Sequence, residues 1–113
     1  MDPDAPTAIF VYALMAIPGA DGIRYVGKTK NVAARMKQHI KEAMNPASVT
    51  YKCRWIRSVV SSGGELLCLT MGEVSTNQGA NRLERQLIDV FGAAGQPLTN
   101  GTAGGDGLVN PSP

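Results

Sequence analysis

Glu84 is an acidic residue at a position where a helix would normally carry an apolar one. It falls within the inward-facing stripe of a helix predicted to run from about Gln78 to Phe91. A carboxylate buried there without a partner would cost several kcal/mol. It must therefore be protonated, paired with a cation, or bound to a metal ion at the rim of a cleft. The adjacent Arg82 and Arg85 point to other faces of the helix, so metal or catalytic use stays open beside an ion pair.

Arg35 and His39 stand four residues apart, so a helix places both on one face, beside its apolar stripe. Side chains at that boundary could lean over a cleft while the helix stays anchored. His39 is the only histidine of the chain, and a lone histidine beside an apolar face is more often structural than catalytic. Tyr12 and Tyr25 lie in neighbouring apolar runs, where each alone is as compatible with a core as with a site.

The segment from Gly22 to Thr29 matches the phosphate-loop pattern G-x-x-x-x-G-K-[ST]. A phosphate loop follows a buried strand and opens directly into a helix, so that backbone N–H groups surround the phosphates. Here a Pro-Gly turn precedes the match, and its middle has strand character. The match is expected to be coincidental, and ATP calorimetry would test the remaining hypothesis of nucleotide binding through Gly27, Lys28 and Thr29.

Basic residues are concentrated between Arg24 and Arg57, where nine of them stand against a single acidic residue, Glu42. That segment carries a net charge of +8, and the rest of the chain carries −6. Segregation of this kind indicates a polyanion-facing surface, although solvated helix faces can also cluster by chance. The residues expected to bind nucleic acid are Lys30, Lys37, Lys41, Lys52, Arg54 and Arg57.

Apolar periodicity predicts six elements that position these residues. Strands are expected at 8–17, 23–27 and 65–74, and helices at 32–43, 49–60 and 78–91. Asn31 is expected to cap the first helix and Ser48 the second, and Gly92 to end the third. The order β-β-α-α-β-α predicts an α+β domain with a small three-stranded antiparallel sheet flanked by helices. The residues expected to face inward are Val49, Cys53, Ile56 and Val60 in the second helix and Ala80, Leu83, Leu87, Val90 and Phe91 in the third.

The register of the first hairpin decides whether Tyr12 and Tyr25 share a face. Two residues paired across an antiparallel hairpin lie on the same face, and the face alternates from one residue to the next along each strand. The numbers of Tyr12 and Tyr25 add to an odd value. The two tyrosines therefore share a face only if the numbers of each pair of opposed residues also add to an odd value. Ile17 opposite Gly22 satisfies this condition and leaves 18–21 as the turn. A register with an even sum and no bulge would separate the two tyrosines.

Length and composition fit one domain, expected at 8–107 with tails at 1–7 and 108–113. The longest apolar run, 8–17, is too short to cross a bilayer, and the first residues resemble no cleavable signal. A cytoplasmic protein without a membrane partner is therefore expected. Cys53 and Cys68 fit neither a zinc spacing nor a redox pair and are expected to be reduced, buried thiols.

Taken in order, several of these positions resemble the signature of GIY-YIG nucleases. They are Phe10-Val11-Tyr12-Ala13, Tyr25-Val26-Gly27-Lys28-Thr29, Arg35, His39, Glu84 and Asn100. The segments 52–56 and 98–107 also resemble the phage-type, homing-endonuclease-like branch, so the resemblance spans about 8–107. The first triplet keeps only its tyrosine and the second reads Tyr-Val-Gly, but neither change removes a side chain that the chemistry would use.

The resemblance implies an endonuclease that hydrolyses DNA phosphodiester bonds with one divalent metal ion. It implies that Glu84 is the only protein ligand of a Mg²⁺ or Mn²⁺ ion that keeps its other waters. Arg35 would bind a non-bridging phosphate oxygen. Tyr12 would accept the proton of the attacking water, provided that Lys28, Arg35 and the metal favour its phenolate.

The remaining implied roles concern positioning and specificity. Tyr25 and His39 would orient the water or relay protons, and Asn100 would position Glu84 or a tyrosine. Larger family members carry a separate DNA-reading domain, so three alternatives stay open here: weak specificity, dependence on a partner protein, or a fused domain in a longer product. The competing hypothesis is a nucleic-acid-binding module on the same fold that has lost catalysis.

Overall fold

Six elements make up the part of the chain that the computed structural model describes, residues 8–17 and 22–100. They are the strands β1 (Ile9–Ile17), β2 (Tyr25–Thr29) and β3 (Glu65–Val74) and the helices α1 (Val32–Met44), α2 (Tyr51–Ser61) and α3 (Asn77–Ala93). The order β-β-α-α-β-α and the α+β class are as predicted. The expected tails at 1–7 and 108–113 and the turn at 18–21 lie outside the described residues.

The central strand of the antiparallel sheet is β1, in the order β2-β1-β3. It pairs with β2 in the predicted register, with Tyr12 opposite Gly27 and Leu14 opposite Tyr25. Because residues two apart on a strand share a face, Tyr12 and Tyr25 lie on the same side of the sheet. The third strand pairs along the other edge of β1, with an irregularity between Val11 and Tyr12.

The strand β2 starts two residues later than predicted and continues through Thr29. Lys28 and Thr29 are paired with Val11 and Phe10 of β1, and α1 begins only at Val32. A phosphate loop would need these residues in an open turn leading into a helix. The match to that motif is therefore coincidental, as the sequence context predicted.

Alternation along β1 sends side chains into two cores on opposite faces of the sheet. On the first, called here the α1–α2 face, Tyr12 and Leu14 pack against Ala43 of α1 and Ile56 of α2. On the second, called the α3 face, the strand residues pack against α3. The buried residues of that second core are Ile9, Val11, Val26 and Ala80.

The N-terminus of α1 is as predicted, whereas that of α2 is not. The side chain of Asn31 accepts a hydrogen bond from the Ala34 amide, but α2 is capped by Thr50 rather than Ser48. Val49 is consequently 63% exposed and Val60 40% exposed, so both predictions of inward residues were wrong. The buried residues of α2 are Cys53, Trp55, Ile56 and Val59. This inward face includes Trp55, the largest side chain of the helix. The free energy gained by burying it offsets the loss from leaving two valines exposed.

Thr76 caps α3, which continues past Gly92 to Ala93. The predicted stop at Gly92 was therefore wrong. The helix ends instead near Gly95, whose φ of 85° is a conformation that glycine adopts without strain. Val90, predicted to face inward, is 55% exposed.

Both cysteines are free thiols, as predicted; Cys53 is buried, whereas Cys68 is only partly so. Within 8–17 and 22–100, no helix has the length and apolar character that crossing a bilayer requires.

Candidate active site

Tyr12 of β1 and His39 of α1 form a buried hydrogen bond, with 2.6 Å between the hydroxyl oxygen and Nε2. Tyr12 is 1% exposed and His39 is fully buried. Burial, followed by the nearby Tyr25, raises the pKa of Tyr12 above its ordinary value, and Arg35 beside the hydroxyl partly offsets this. Burial lowers the pKa of His39 to about 3, with Lys52 and Arg35 contributing. Both groups are therefore neutral at physiological pH.

The second ring nitrogen of His39, Nδ1, is buried and has no hydrogen-bond partner among the described residues. When the Tyr12 hydroxyl donates to Nε2, the imidazole proton must lie on Nδ1. A buried polar atom left unpaired costs about 1–3 kcal/mol, so such atoms are uncommon in structural positions. His39 is thus not the fully satisfied core histidine that the sequence favoured.

Tyr25 completes an aromatic cluster beside this hydrogen bond. Its ring centroid lies 5.4 Å from that of His39, nearly perpendicular to it, and 6.3 Å from that of Tyr12. The ammonium of Lys52 lies 5.3 Å from the Tyr25 ring centroid and 3.4 Å from a carboxylate oxygen of Glu42. The ion pair with Glu42 holds Lys52 against the ring, where the cation is attracted to the π face.

The absence of a side chain at Gly27 permits this packing. A Cβ built there would lie 2.6 Å from the Tyr12 hydroxyl oxygen and 2.8 Å from Cε2 of Tyr25. Both distances are well inside van der Waals contact. Any other residue at this position would push the two tyrosine rings away from His39.

Glu84 of α3 forms an ion pair with Lys28 of β2, with 3.2 Å between Oε1 and Nζ. The two side chains are 23% and 36% exposed, so the pair lies at a rim. The carboxylate that the helical pattern placed in an apolar stripe is thus partly solvated and paired. Its partner is a lysine distant in sequence, and neither Arg82 nor Arg85.

The predicted catalytic residues form two groups on opposite faces of the sheet. Tyr12, Tyr25, Arg35 and His39 lie together on the α1–α2 face, and Lys28 and Glu84 lie on the α3 face. The two groups meet at β2, because Gly27 lies against the tyrosines and Lys28 follows it directly. A ligand that contacts both groups must straddle this strand.

Asn100 holds the outer edge of β2. Its Oδ1 accepts a hydrogen bond from the Val26 amide at 2.8 Å, and its Nδ2 donates to the Val26 carbonyl at 2.6 Å. Upstream, the Ile23 amide donates to Gln96 Oε1 at 2.6 Å. The segment after α3 therefore fixes β2, and with it Tyr25 and Gly27. Asn100 does not contact Glu84 in these hydrogen bonds.

Some of the basic side chains bind other groups of the protein, and others are exposed to solvent. Arg57 donates to the carbonyls of Ala43 at 2.7 Å, Asn45 at 2.8 Å and Ser48 at 2.9 Å. It therefore ties the end of α1 to the loop before α2. Lys52 is held by Glu42 and Tyr25, as described above. The predicted DNA-binding residues that are exposed are Lys30, Lys37, Lys41 and Arg54.

Glu84 is the one residue predicted to bind a metal ion, and it lies in the described part of the chain. No group of three or more histidine, cysteine, aspartate or glutamate side chains comes together there. Mg²⁺ commonly keeps several waters and needs only one or two carboxylates from a protein. A partly exposed carboxylate at a rim fits an ion of that kind, and does not fit Zn²⁺ or Ca²⁺, which require more protein ligands.

The depressed pKa of His39 predicts that the protein loses stability in mild acid. Between pH 6.5 and about 3 the unfolded histidine binds a proton that the folded one does not. The free energy of unfolding should therefore fall as the pH is lowered, by up to about 1.4 kcal/mol per pH unit. Urea denaturation across this interval measures the slope, and a His39→Gln variant should show a smaller one. Equal slopes in both proteins would contradict the assignment.

The family model that matches this chain is that of the GIY-YIG catalytic domain, over residues 8–97. The match includes all six elements and ends before Asn100. Comparison with curated proteins and with solved structures gave no match.

Proposed function

Because the chain belongs to the GIY-YIG family, a family of nucleases that act on DNA, we propose that it is an active endonuclease that hydrolyses DNA phosphodiester bonds with a divalent metal ion. The observation that carries this proposal is the buried hydrogen bond between Tyr12 and His39, with Nδ1 unpaired among the described residues. A module that only bound DNA would gain nothing from an incompletely satisfied histidine beneath its surface. A proton relay, by contrast, uses a donor and an acceptor within hydrogen-bonding distance, as Tyr12 and His39 are.

Arg35 and Lys28 are proposed to bind the scissile phosphate from the two faces of β2. The guanidinium of Arg35 offers several donors in a fixed plane, which suits a phosphate that gains charge during attack. Lys28 ends at the rim, where its ammonium now pairs with Glu84. On DNA binding, a phosphate oxygen would replace the Glu84 carboxylate as the partner of Lys28. The lysine would then have an anionic partner both in the free protein and in the complex.

The proton of the attacking water is proposed to pass to the Tyr12 hydroxyl. The proton that Tyr12 already carries would move along the 2.6 Å hydrogen bond to Nε2 of His39. The low pKa of His39 keeps Nε2 unprotonated in the free protein, and the negative charge of a bound phosphate would raise that pKa and so allow Nε2 to accept the proton. Tyr25, at the less buried end of the cluster, would orient the water, and Lys52 would hold the Tyr25 ring.

Glu84 is proposed to hold Mg²⁺ or Mn²⁺, which when bound would offset the negative charge that develops on the phosphate and the leaving oxygen. The carboxylate has one oxygen on Lys28 and presents the other at a partly exposed rim. Asn100 would act as a positioning residue, because it fixes the strand that carries Tyr25 and Lys28.

One observation favours an inactive DNA-binding module instead. The Tyr12 residue is 1% exposed, so its hydroxyl is not open to solvent as the structure stands. Supercoiled plasmid incubated with the protein in Mg²⁺, Mn²⁺ or EDTA separates the two functions. Nicking or linearisation in the metal ions and none in EDTA is expected. Binding to the plasmid without cleavage under any of these conditions would favour the inactive module.

DNA binding should depend on three exposed lysines, namely Lys30 just before α1 and Lys37 and Lys41 within it. Changing all three to Gln should weaken binding at low salt and reduce the salt dependence by about 0.9 logarithmic units per lost phosphate contact. The matched control is Arg82→Gln with Arg85→Gln, which removes exposed charges from α3. Fluorescence anisotropy at several salt concentrations measures both. Equal losses in the two proteins would mean that binding follows net charge alone.

A further inference from the structure

A second concave surface lies on the α1–α2 face, beyond the Tyr12 cluster and towards the hairpin turn. It has a volume of about 700 Å³ and lies between α2, the end of β1 at Ala16 and the segment 97–99. This volume is within the usual range for sites that bind small organic groups. Ala16 is four residues from Tyr12 on the same face of β1, so about 13 Å separates the Cα atoms of these two residues along the strand.

The lining of this pocket combines an exposed cation, an exposed aromatic ring and hydroxyl groups. Arg54 is exposed at its mouth, and the Arg24 guanidinium lies 5.4 Å from the ring centroid of Trp55 in its floor. Tyr51 is 48% exposed beside Arg54. Among the described residues that line it, none is acidic. A pocket of this kind favours a ligand that is both anionic and aromatic.

Two serines add hydrogen-bonding capacity to the same wall. Ser58 and Ser62 donate their hydroxyl protons to the α2 carbonyls of Trp55 at 2.7 Å and Val59 at 3.0 Å. Each hydroxyl oxygen therefore keeps lone pairs that can accept a hydrogen bond from a ligand. Amino and imino groups of a nucleobase are donors of the right kind.

We propose that this pocket binds one unpaired nucleotide of the DNA strand that is cut, with its base against Tyr51 and its phosphate on Arg54. The proposal rests on the endonuclease function and adds a substrate preference to it. A separation of about 13 Å along β1 corresponds to a few nucleotides of DNA, because the duplex rises about 3.4 Å per nucleotide and an unpaired strand can extend further. A base inside a duplex is stacked and paired and cannot enter the pocket, whereas an unpaired base can stack on an aromatic ring. The enzyme should therefore favour DNA with a single-stranded segment close to the cut.

The test compares a blunt duplex with the same duplex carrying a single-stranded overhang, bound in EDTA so that neither is cleaved. The wild type should bind the overhang more tightly. Tyr51→Leu, which keeps the helix and removes the ring, should weaken binding to the overhang about tenfold and leave the blunt duplex unchanged. Arg54→Gln should act in the same direction. Lys37→Gln, remote from the pocket, should weaken both DNAs equally.

Three results would overturn the pocket assignment while leaving the endonuclease intact. They are equal wild-type affinity for the two DNAs, equal effects of Tyr51→Leu on both, and competition by free thymidine monophosphate as strong as that by the overhang. The last result would identify a site for a free nucleotide. A wild type that binds neither DNA would instead refute the proposed function and the pocket together.

Discussion

Glu84→Gln is expected to reduce DNA cleavage in Mg²⁺ by roughly a thousandfold while leaving DNA affinity near that of the wild type or above it. The substitution keeps the size of the side chain but removes the negative charge that would hold the ion. It also removes a negative charge from the rim where phosphate would bind. Thermal stability should change little, because the lost ion pair with Lys28 is partly solvated and such pairs contribute at most about 1 kcal/mol.

Lys28→Gln provides the matched control, since it breaks the same ion pair and keeps the carboxylate. If Glu84 is only a structural partner, the two variants should melt alike and cut alike. If Glu84 holds the metal, Glu84→Gln alone should abolish Mn²⁺ binding by calorimetry, and Lys28→Gln should lose only a phosphate contact. A Glu84→Gln protein that still cuts in Mg²⁺ at the wild-type rate would contradict the metal assignment.

Apolar runs bounded by turn residues were sufficient to predict the sheet. The strands β1 and β3 were placed correctly, and of the two kinds of register considered the structure has the one with an odd sum, which brings Tyr12 and Tyr25 together. The inward face of α2 was harder to predict. Cys53 and Ile56 face inward as predicted, but the helix begins after Thr50 rather than Ser48, and burial of Trp55 and Val59 is chosen over burial of Val49 and Val60. That choice depends on a core formed by distant strands, which a local pattern does not contain.

Candidate site residues could be named from the sequence, but their partners could not. The lysine that pairs with Glu84 lies 56 residues away, and the histidine that binds Tyr12 lies 27 residues away. The hydrogen bonds of Arg57 to three backbone carbonyls were not predicted either. Nothing in the sequence distinguishes an arginine that binds carbonyls from the other basic residues of this segment. Pairings of this kind arise only when the chain is folded.

The division of the site between two faces has a consequence for substrate binding. Glu84 and Lys28 stand on the α3 face, and the tyrosines stand on the other, with β2 between them. Gly27 has no side chain, so the tyrosine rings pack directly against the backbone of β2. Asn100 binds the outer edge of the same strand at Val26. A phosphate bound near Gly27 and Lys28 would therefore lie where Arg35, from one face, and Glu84, from the other, could both interact with it.

Tyr12→Phe is expected to reduce cleavage by about a hundredfold or more at a temperature where the variant remains folded. The phenyl ring keeps the packing against Gly27 and Tyr25 but can neither take a proton from water nor pass one to His39. The variant should also lose about 1–3 kcal/mol of stability, because His39 loses its only hydrogen-bond partner among the described residues.

Tyr25→Phe separates catalysis from stability at this site, because it leaves the hydrogen bond between Tyr12 and His39 in place. It should lower cleavage less than Tyr12→Phe does and cost less stability. Single-turnover cleavage and urea denaturation should be measured on the same preparations, so that each rate refers to folded protein. If Tyr12→Phe is destabilised yet cuts at the wild-type rate, its hydroxyl is purely structural. Tyr25, which is less buried than Tyr12, would then be the next candidate to accept the proton of the attacking water, and in that case Tyr25→Phe should carry the larger loss of activity.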